Sequence, residues 1–145
     1  MELVIMAVIA LLGLCILAWA SRRRRRFHRQ DAIHTGTIQL AGSLRRATAP
    51  LPELLDSVGD YAAYERAVFA AVRAAAQDTR QISSADEAVA VHDRLVAALG
   101  DLFAIIEVYP DLVADDATAA RIRVVEDALE DAARRRAELT PLLRR

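Results

Sequence analysis

Three groups of side chains have types and spacings that bear on chemistry. Asp31-x-x-His34 sets a carboxylate and an imidazole three residues apart, the step that puts two metal ligands on one helix face. Helical bundles that hold two metal ions use two such pairs plus two further carboxylates. This chain has one pair: the residue three before His92 is Val89, so His92 is expected to be an ordinary core histidine. Glu65 completes at most half a site with Asp31 and His34, and solvated side chains are the expected reading of all three. Nucleophilic catalysis lacks its parts. The single cysteine, Cys15, lies in an apolar stretch, no serine sits in a strand–turn–helix elbow, and there is no glycine-rich phosphate loop. Tyr61, Tyr64 and Tyr109 are read as packing or surface aromatics. Arg134–Arg136 is read as a C-terminal turn complementing its helix dipole. The sequence points to no enzyme and no cofactor.

The elements that position these residues are helical. Ile33, Thr37, Leu40 and Leu44 form a weak stripe, and Pro50 and Pro52 are expected to end that helix and turn the chain back. Leu51, Leu55, Val58, Ala62, Glu65, Phe69, Val72 and Ala76 then alternate steps of four and three, which predicts one helix ending near Gln81. Ser84 and Glu87 have the spacing of a capping box. Ala88, His92, Leu95, Leu99, Leu102 and Ile106 give a third helix that stops at Tyr109-Pro110. Ile122, Val125, Leu129, Ala132 and Leu139 give a fourth ending at Pro141. No run alternates with period two, and no Asn-Gly or Asp-Gly hairpin signal occurs. The fold class read here is all-α: one N-terminal transmembrane helix followed by an antiparallel four-helix bundle.

Glu65 is the residue that disturbs this pattern. A charge on an apolar seam is costly to bury unless paired. With a turn at Pro50, residue 35 comes level with Glu65, and the Arg121–Arg123 region falls at the same height. The carboxylate is therefore either paired internally, with Arg121, Arg123 or His34, or displaced to the edge of the seam.

Leu3 to Ala20 contains no charge and ten Leu, Ile or Val residues. Eighteen residues at 1.5 Å each are about the length needed to cross a ~30 Å hydrocarbon core. A cleaved signal peptide would want a basic start, whereas this chain begins Met1-Glu2 and a dense arginine run follows the apolar stretch. Arg22, Arg23, Arg24, Arg25, Arg26 and Arg29 against Glu2 set the orientation by the positive-inside rule: N-terminus outside, remainder in the cytoplasm. The parts are thus an anchor over 1–21, a basic juxtamembrane segment over 22–27 and a helical bundle over 28–145. Beyond the arginine run the chain carries 14 arginines against 19 acids, which argues against a nucleic-acid partner.

Two stretches resemble the bacterial LemA family. Leu44–Ala67, LRRATAPLPELLDSVGDYAAYERA, is similar to the family's Leu-x-Arg-Arg…Ile-Pro-x-Leu…Val-x-Gly-Tyr-x-x-x-Glu segment at Pro52, Leu54, Val58, Tyr61 and Glu65. Leu102–Asp115, LFAIIEVYPDLVAD, resembles Glu-x-Tyr-Pro-x-Leu-Lys-Ala through Glu107, Tyr109, Pro110, Leu112 and Ala114. The order of parts, one span and then long helices, is the third likeness. Ala49 stands where the family has Asp, Val113 where it has Lys, and Leu139-Thr140 where it has Tyr-Asn. The resemblance implies a membrane-tethered bundle of the bacterial cell (inner) membrane, linked to envelope stress or membrane-protein quality control.

The function expected from all this is a non-enzymatic interaction or scaffold module whose partners are the lipid bilayer and other membrane-associated proteins. The alternative is a lipid-responsive module in which the arginine block and first helix sense the membrane, each arginine contributing at most about 1 kcal/mol. The topology has a direct check. A reporter fused after Arg145 that is active only in the periplasm should be silent, and substituting Arg22–Arg26 with glutamate should weaken that orientation; a clear periplasmic signal from the parent would reverse it.

Overall fold

The computed structural model describes residue 1, residues 28–60 and residues 65–144. The expected transmembrane segment, Arg22–Arg26, Tyr61, Ala62 and Tyr64 lie outside the described residues, within which no helix is long and apolar enough to cross a membrane. The described chain is helical without a strand, as the periodicity predicts: α1 (28–48), α2 (Leu51–Gly59), α3 (Arg66–Asp78), α4 (Ala85–Val108), α5 (Pro110–Ala114) and α6 (Asp116–Leu143).

The first correction concerns Pro50. It occupies the N-cap of α2, and Pro52 sits in that helix's first turn. A helix start leaves its first N–H groups unpaired in any case, so proline costs little there and marks a beginning rather than a reversal. The chain passes the break in one direction. Gly36 lies against Leu139, whose Cδ1 would be 3.1 Å from an added Cβ. Ser43 Oγ donates to Asp131 at 2.6 Å, and Arg121 pairs with Glu53 at 3.0 Å. From Gly36 to Glu53 the chain climbs 17 residues along α1 and α2, while from Leu139 to Arg121 it descends 18 along α6. One long, interrupted rod therefore runs antiparallel to α6.

The reversal instead falls between Gly59 and Arg66, so the helix expected over 51–81 is two helices pointing in opposite directions. Leu51 and Leu55 share a cleft with Arg73 and Ala76, and Arg45 Nε reaches the Thr79 carbonyl at 3.4 Å. Increasing number on α1 and α2 thus meets decreasing number on α3. Between α3 and α4 the expected capping box forms. Ser84 Oγ accepts from Glu87 N at 3.2 Å, and the Glu87 carboxylate accepts chiefly from Ser83 N at 2.8 Å, with the Ser84 N–H a smaller contributor. The hydroxyl of Ser83, also donating, is the main reason that Glu87 is held below the usual glutamate pKa. On α4, Asp93 pairs with Arg136 of α6 at 2.9 Å, closing the bundle.

The core follows the predicted stripes. Leu40, Leu44, Leu51, Leu54 and Val58 from the first rod meet Val72, Leu95, Leu99, Leu102 and Val125, all essentially inaccessible. Ala47, Ala88 and Ala132 are buried among them and let the backbones approach closely. His92 is buried as expected, its Nδ1 2.9 Å from the Asp93 carboxylate, but it is not fully satisfied: Nε2 is buried with no hydrogen-bond partner among the described residues.

A second correction lies at the C-terminal end, where α6 continues through Pro141 to Leu143. In a last turn the ring's missing N–H removes one bond, and the orphan carbonyls there find another donor. The Arg29 guanidinium donates to the Leu142 and Arg144 carbonyls, each at 2.8 Å. The first and last described helices are thereby fastened at one end of the bundle.

The described residues enclose this core, so the fragment from Phe27 to Arg145 is expected to fold alone as a helical domain with a cooperative melt. Within it Leu99→Ala should cost about 2–5 kcal/mol in urea unfolding followed by circular dichroism. A cost below 1 kcal/mol would mean that Leu99 is not enclosed.

Candidate functional site

The topology sends the end of α2, the start of α3, the end of α4, α5 and the start of α6 to one end of the bundle. The described chain begins at the other. The 28 residues of α6 set the separation at about 40 Å. The second signature stretch falls at this far end together with Pro52, Leu54, Val58 and Glu65 of the first, from which about forty residues separate it in the chain; the first stretch starts at Leu44, beside Ser43 and level with the middle of α6.

Each signature residue there has a distinct place. Leu54, Val58 and Leu112 are buried at 0%, 0% and 2% exposure and hold the end together by packing. Pro110 pushes Tyr109 out of the helical region, to φ −115 and ψ 85, which ends α4 and starts α5. Tyr109 is half-buried against the core, its N–H donating to the Ile106 carbonyl at 3.0 Å. Pro52, Glu65, Glu107, Pro110 and Ala114 face outward, and Tyr61 lies outside the described residues. Between Glu107 and Ala114, Val108 and Val113 are 70% and 49% exposed, unusual for valines beside a packed core.

The same end exposes the carboxylates Asp60, Glu65, Glu107, Asp111, Asp115 and Asp116, with Arg66 among them. One of them has a structural task that the sequence reading missed. Asp115 is the N-cap of α6 and accepts from Thr118 N at 2.8 Å. That bond is the chief cause of an Asp115 carboxyl held below the ordinary aspartate range, with Arg121 adding attraction. The signal was available in Asp115-Asp116-Ala117-Thr118, an aspartate three residues before a threonine at the foot of an apolar repeat.

Glu65 is exposed at the N-cap position of α3, with no side-chain cap bond. It is neither a buried ion pair nor the edge of a continuous seam. Arg121 takes Glu53 instead, and Arg123 is exposed. Asp31 and His34 are exposed near the opposite end, so the three members of the suggested half-site are not brought together. Among the described residues no group of three or more His, Cys, Asp or Glu side chains is placed to hold a metal ion.

Arg134–Arg136 is not a terminal turn either. Arg134 and Arg135 pair with Asp131, and Arg136 reaches Asp93. Arg29, expected at the membrane surface, is turned onto the α6 carbonyls. The far end combines exposed valines with exposed carboxylates drawn from α4, α5, α6 and the ends of α2 and α3, an arrangement that suits recognition rather than bond-making.

Comparison with protein-family models gives a match to one described as the LemA family over residues 37–141, a range containing both signature stretches. Comparison with curated proteins gives no match.

Because Glu65 is exposed, Glu65→Leu and Glu65→Gln should each change stability by less than about 1 kcal/mol in urea unfolding. Leu112→Ala should cost about 2–5 kcal/mol. A loss of several kcal/mol at Glu65 would mean a buried partner after all.

Proposed function

The chain belongs to the LemA family, and from that premise we propose that it is a membrane-tethered, non-enzymatic module that engages protein partners through the far end of its bundle. The observation that carries this reading is that Pro52, Leu54, Val58 and Glu65 of one signature stretch and the whole of the other share one end, away from the end where residue 28 leads back toward the apolar Leu3–Ala20 segment. A tether at the near end holds the opposite end about 40 Å away, clear of the headgroups and open to proteins. The orientation expected from the arginine run puts that end in the cytoplasm. Exposed Val108 and Val113 supply the apolar contact, and the carboxylates exposed at the same end favour partners with cationic surfaces.

The lipid-responsive alternative rests on Arg22–Arg26. Arg29 does not add to it, because its guanidinium is engaged by the carbonyls of Leu142 and Arg144.

The test places a photoreactive amino acid at Val108 or Val113 in the full chain in native membranes. Ile38 and Val96, which are also exposed, serve as controls on the sides of the bundle. Protein adducts should form at 108 and 113 at least several-fold more often than at 38 and 96. Equal yields at all four positions, or adducts only at the controls, would overturn the assignment of the far end.

A further inference from the structure

The contact that closes the bundle between α4 and α6 contains two polar atoms that the fold does not account for. Asp93 presents one carboxylate oxygen to each neighbour. Its Oδ1 lies 2.9 Å from His92 Nδ1, and its Oδ2 accepts from Arg136 Nη2 at 2.9 Å. His92 is 7% exposed. Its Nε2 and the Nε of Arg136 are both buried, and neither has a hydrogen-bond partner among the described residues. Buried polar atoms are nearly always bonded, so two orphans in one cluster call for a cause.

Chemistry assigns each orphan its role. Arg136 first, and His92 after it, hold the Asp93 carboxyl below the ordinary aspartate range, so the group is ionised and can only accept. Nδ1 must therefore carry a hydrogen, which in the neutral imidazole leaves Nε2 with a lone pair and none. Arginine Nε always carries a hydrogen. One orphan is an acceptor and the other a donor.

The surrounding side chains cannot serve them. Ala88 and Leu95 lie one turn to either side of His92 on its buried face, and Ala132 and Leu139 flank Arg136 in the same way on α6. All four are apolar and at most 1% exposed. The hydroxyl of Thr140 gives its hydrogen to the Arg136 carbonyl. Neighbouring charges are engaged elsewhere: Arg94 with Asp78, and Arg135 with Asp131 and Glu138. An occupant must donate to Nε2, accept from Nε–H and fit within a packed helix seam. A metal cation would face the guanidinium, and an anion would face both the imidazole lone pair and Asp93. Water meets both demands, and its second hydrogen has the lone pairs of the Asp93 carboxylate within the same cluster.

We infer that one internal water bridges His92 Nε2 and Arg136 Nε, so that carboxylate, imidazole, water and guanidinium form a closed ring locking α4 to α6. The ring fixes Arg136 across the seam more firmly than an exposed ion pair alone would. The test uses the full chain in phosphatidylcholine nanodiscs with nitrogen-15 in its histidine rings. His28→Gln and His34→Gln, both at exposed positions, leave His92 as the only signal from three histidines. Nuclear magnetic resonance should find the hydrogen on Nδ1 and an Nε2 resonance displaced toward that of a hydrogen-bonded acceptor. Arg136→Lys keeps a cation for Asp93 but removes the Nε donor. It should shift the Nε2 resonance and speed amide exchange over Val91–Leu95 at least threefold, with an unchanged circular dichroism spectrum. A hydrogen on Nε2, the resonance of an unbonded nitrogen, or indifference to Arg136→Lys would overturn the bridge. A high-resolution crystal structure of the full chain should place one water within about 3.2 Å of both nitrogens. Empty density there, separate waters on the two nitrogens, or a direct bond between them would overturn it equally.

Discussion

The carboxylate of Asp131 receives the hydroxyl of Ser43 from across the α1–α6 seam, with Arg46 beside it and Arg134 and Arg135 approaching from its own helix. Ser43 is 1% exposed. A slip of one residue between the two rods would break that bond and leave the hydroxyl only its intrahelical acceptor, the Gln39 carbonyl at 3.1 Å, losing about 1 kcal/mol or more for a bond to a charged group. The serine bond, ahead of the arginines, holds the Asp131 carboxyl below its ordinary range and keeps it ionised. Apolar stripes of the two rods tolerate several registers; this bond selects one. The pairing of Glu53 with Arg121 and the seating of Leu139 on Gly36 follow from that choice. The composition of the far end follows from it too.

Much of the fold is legible in the residues. Ala88, His92, Leu95, Leu99, Leu102 and Ile106 were read as one buried stripe and all six are buried. The error was one of direction. Prolines before a leucine run read as a reversal, yet two N–H-deficient residues at a helix start cost almost nothing and redirect nothing. The true reversal follows Gly59, a poor helix former, and the seven-residue rhythm of the apolar pattern continued across it. Glu65 was the local sign of that error. A carboxylate on an apolar seam is a conflict between pattern and chemistry, and it is resolved here by the seam ending before the carboxylate is reached.

The candidate site was legible residue by residue but not as a place. Pro52 to Glu65 and Glu107 to Ala114 stood out by resemblance, yet a hairpin at Pro50 would have put the start of α3 at the wrong end. Only the observed order of rods unites the two stretches. Their residues also divide in a way that a motif does not display, since Leu54, Val58 and Leu112 pack inward while Glu65, Glu107, Pro110 and Ala114 face out. The valines between the outward residues have no distinguishing spacing. Val108 is the last residue of α4 and Val113 belongs to the five-residue α5 that follows.

The interruption of the long rod at Ala49 and Pro50 bears on how stiff the protein is. A helix with two missing N–H donors bends most easily there, and it would be the place where a pull between the two ends of the bundle is absorbed. Yet α6 runs unbroken past it, gripping Ser43 and Arg46 on one side through Asp131 and Glu53 on the other through Arg121. The unbroken helix acts as a splint across the fracture. The two polar contacts sit about ten residues apart on α6 and bracket the joint, the Ser43–Asp131 bond buried on one side and the Arg121–Glu53 pair, largely exposed and weaker, on the other, so bending at the joint must break contacts on the unbroken helix.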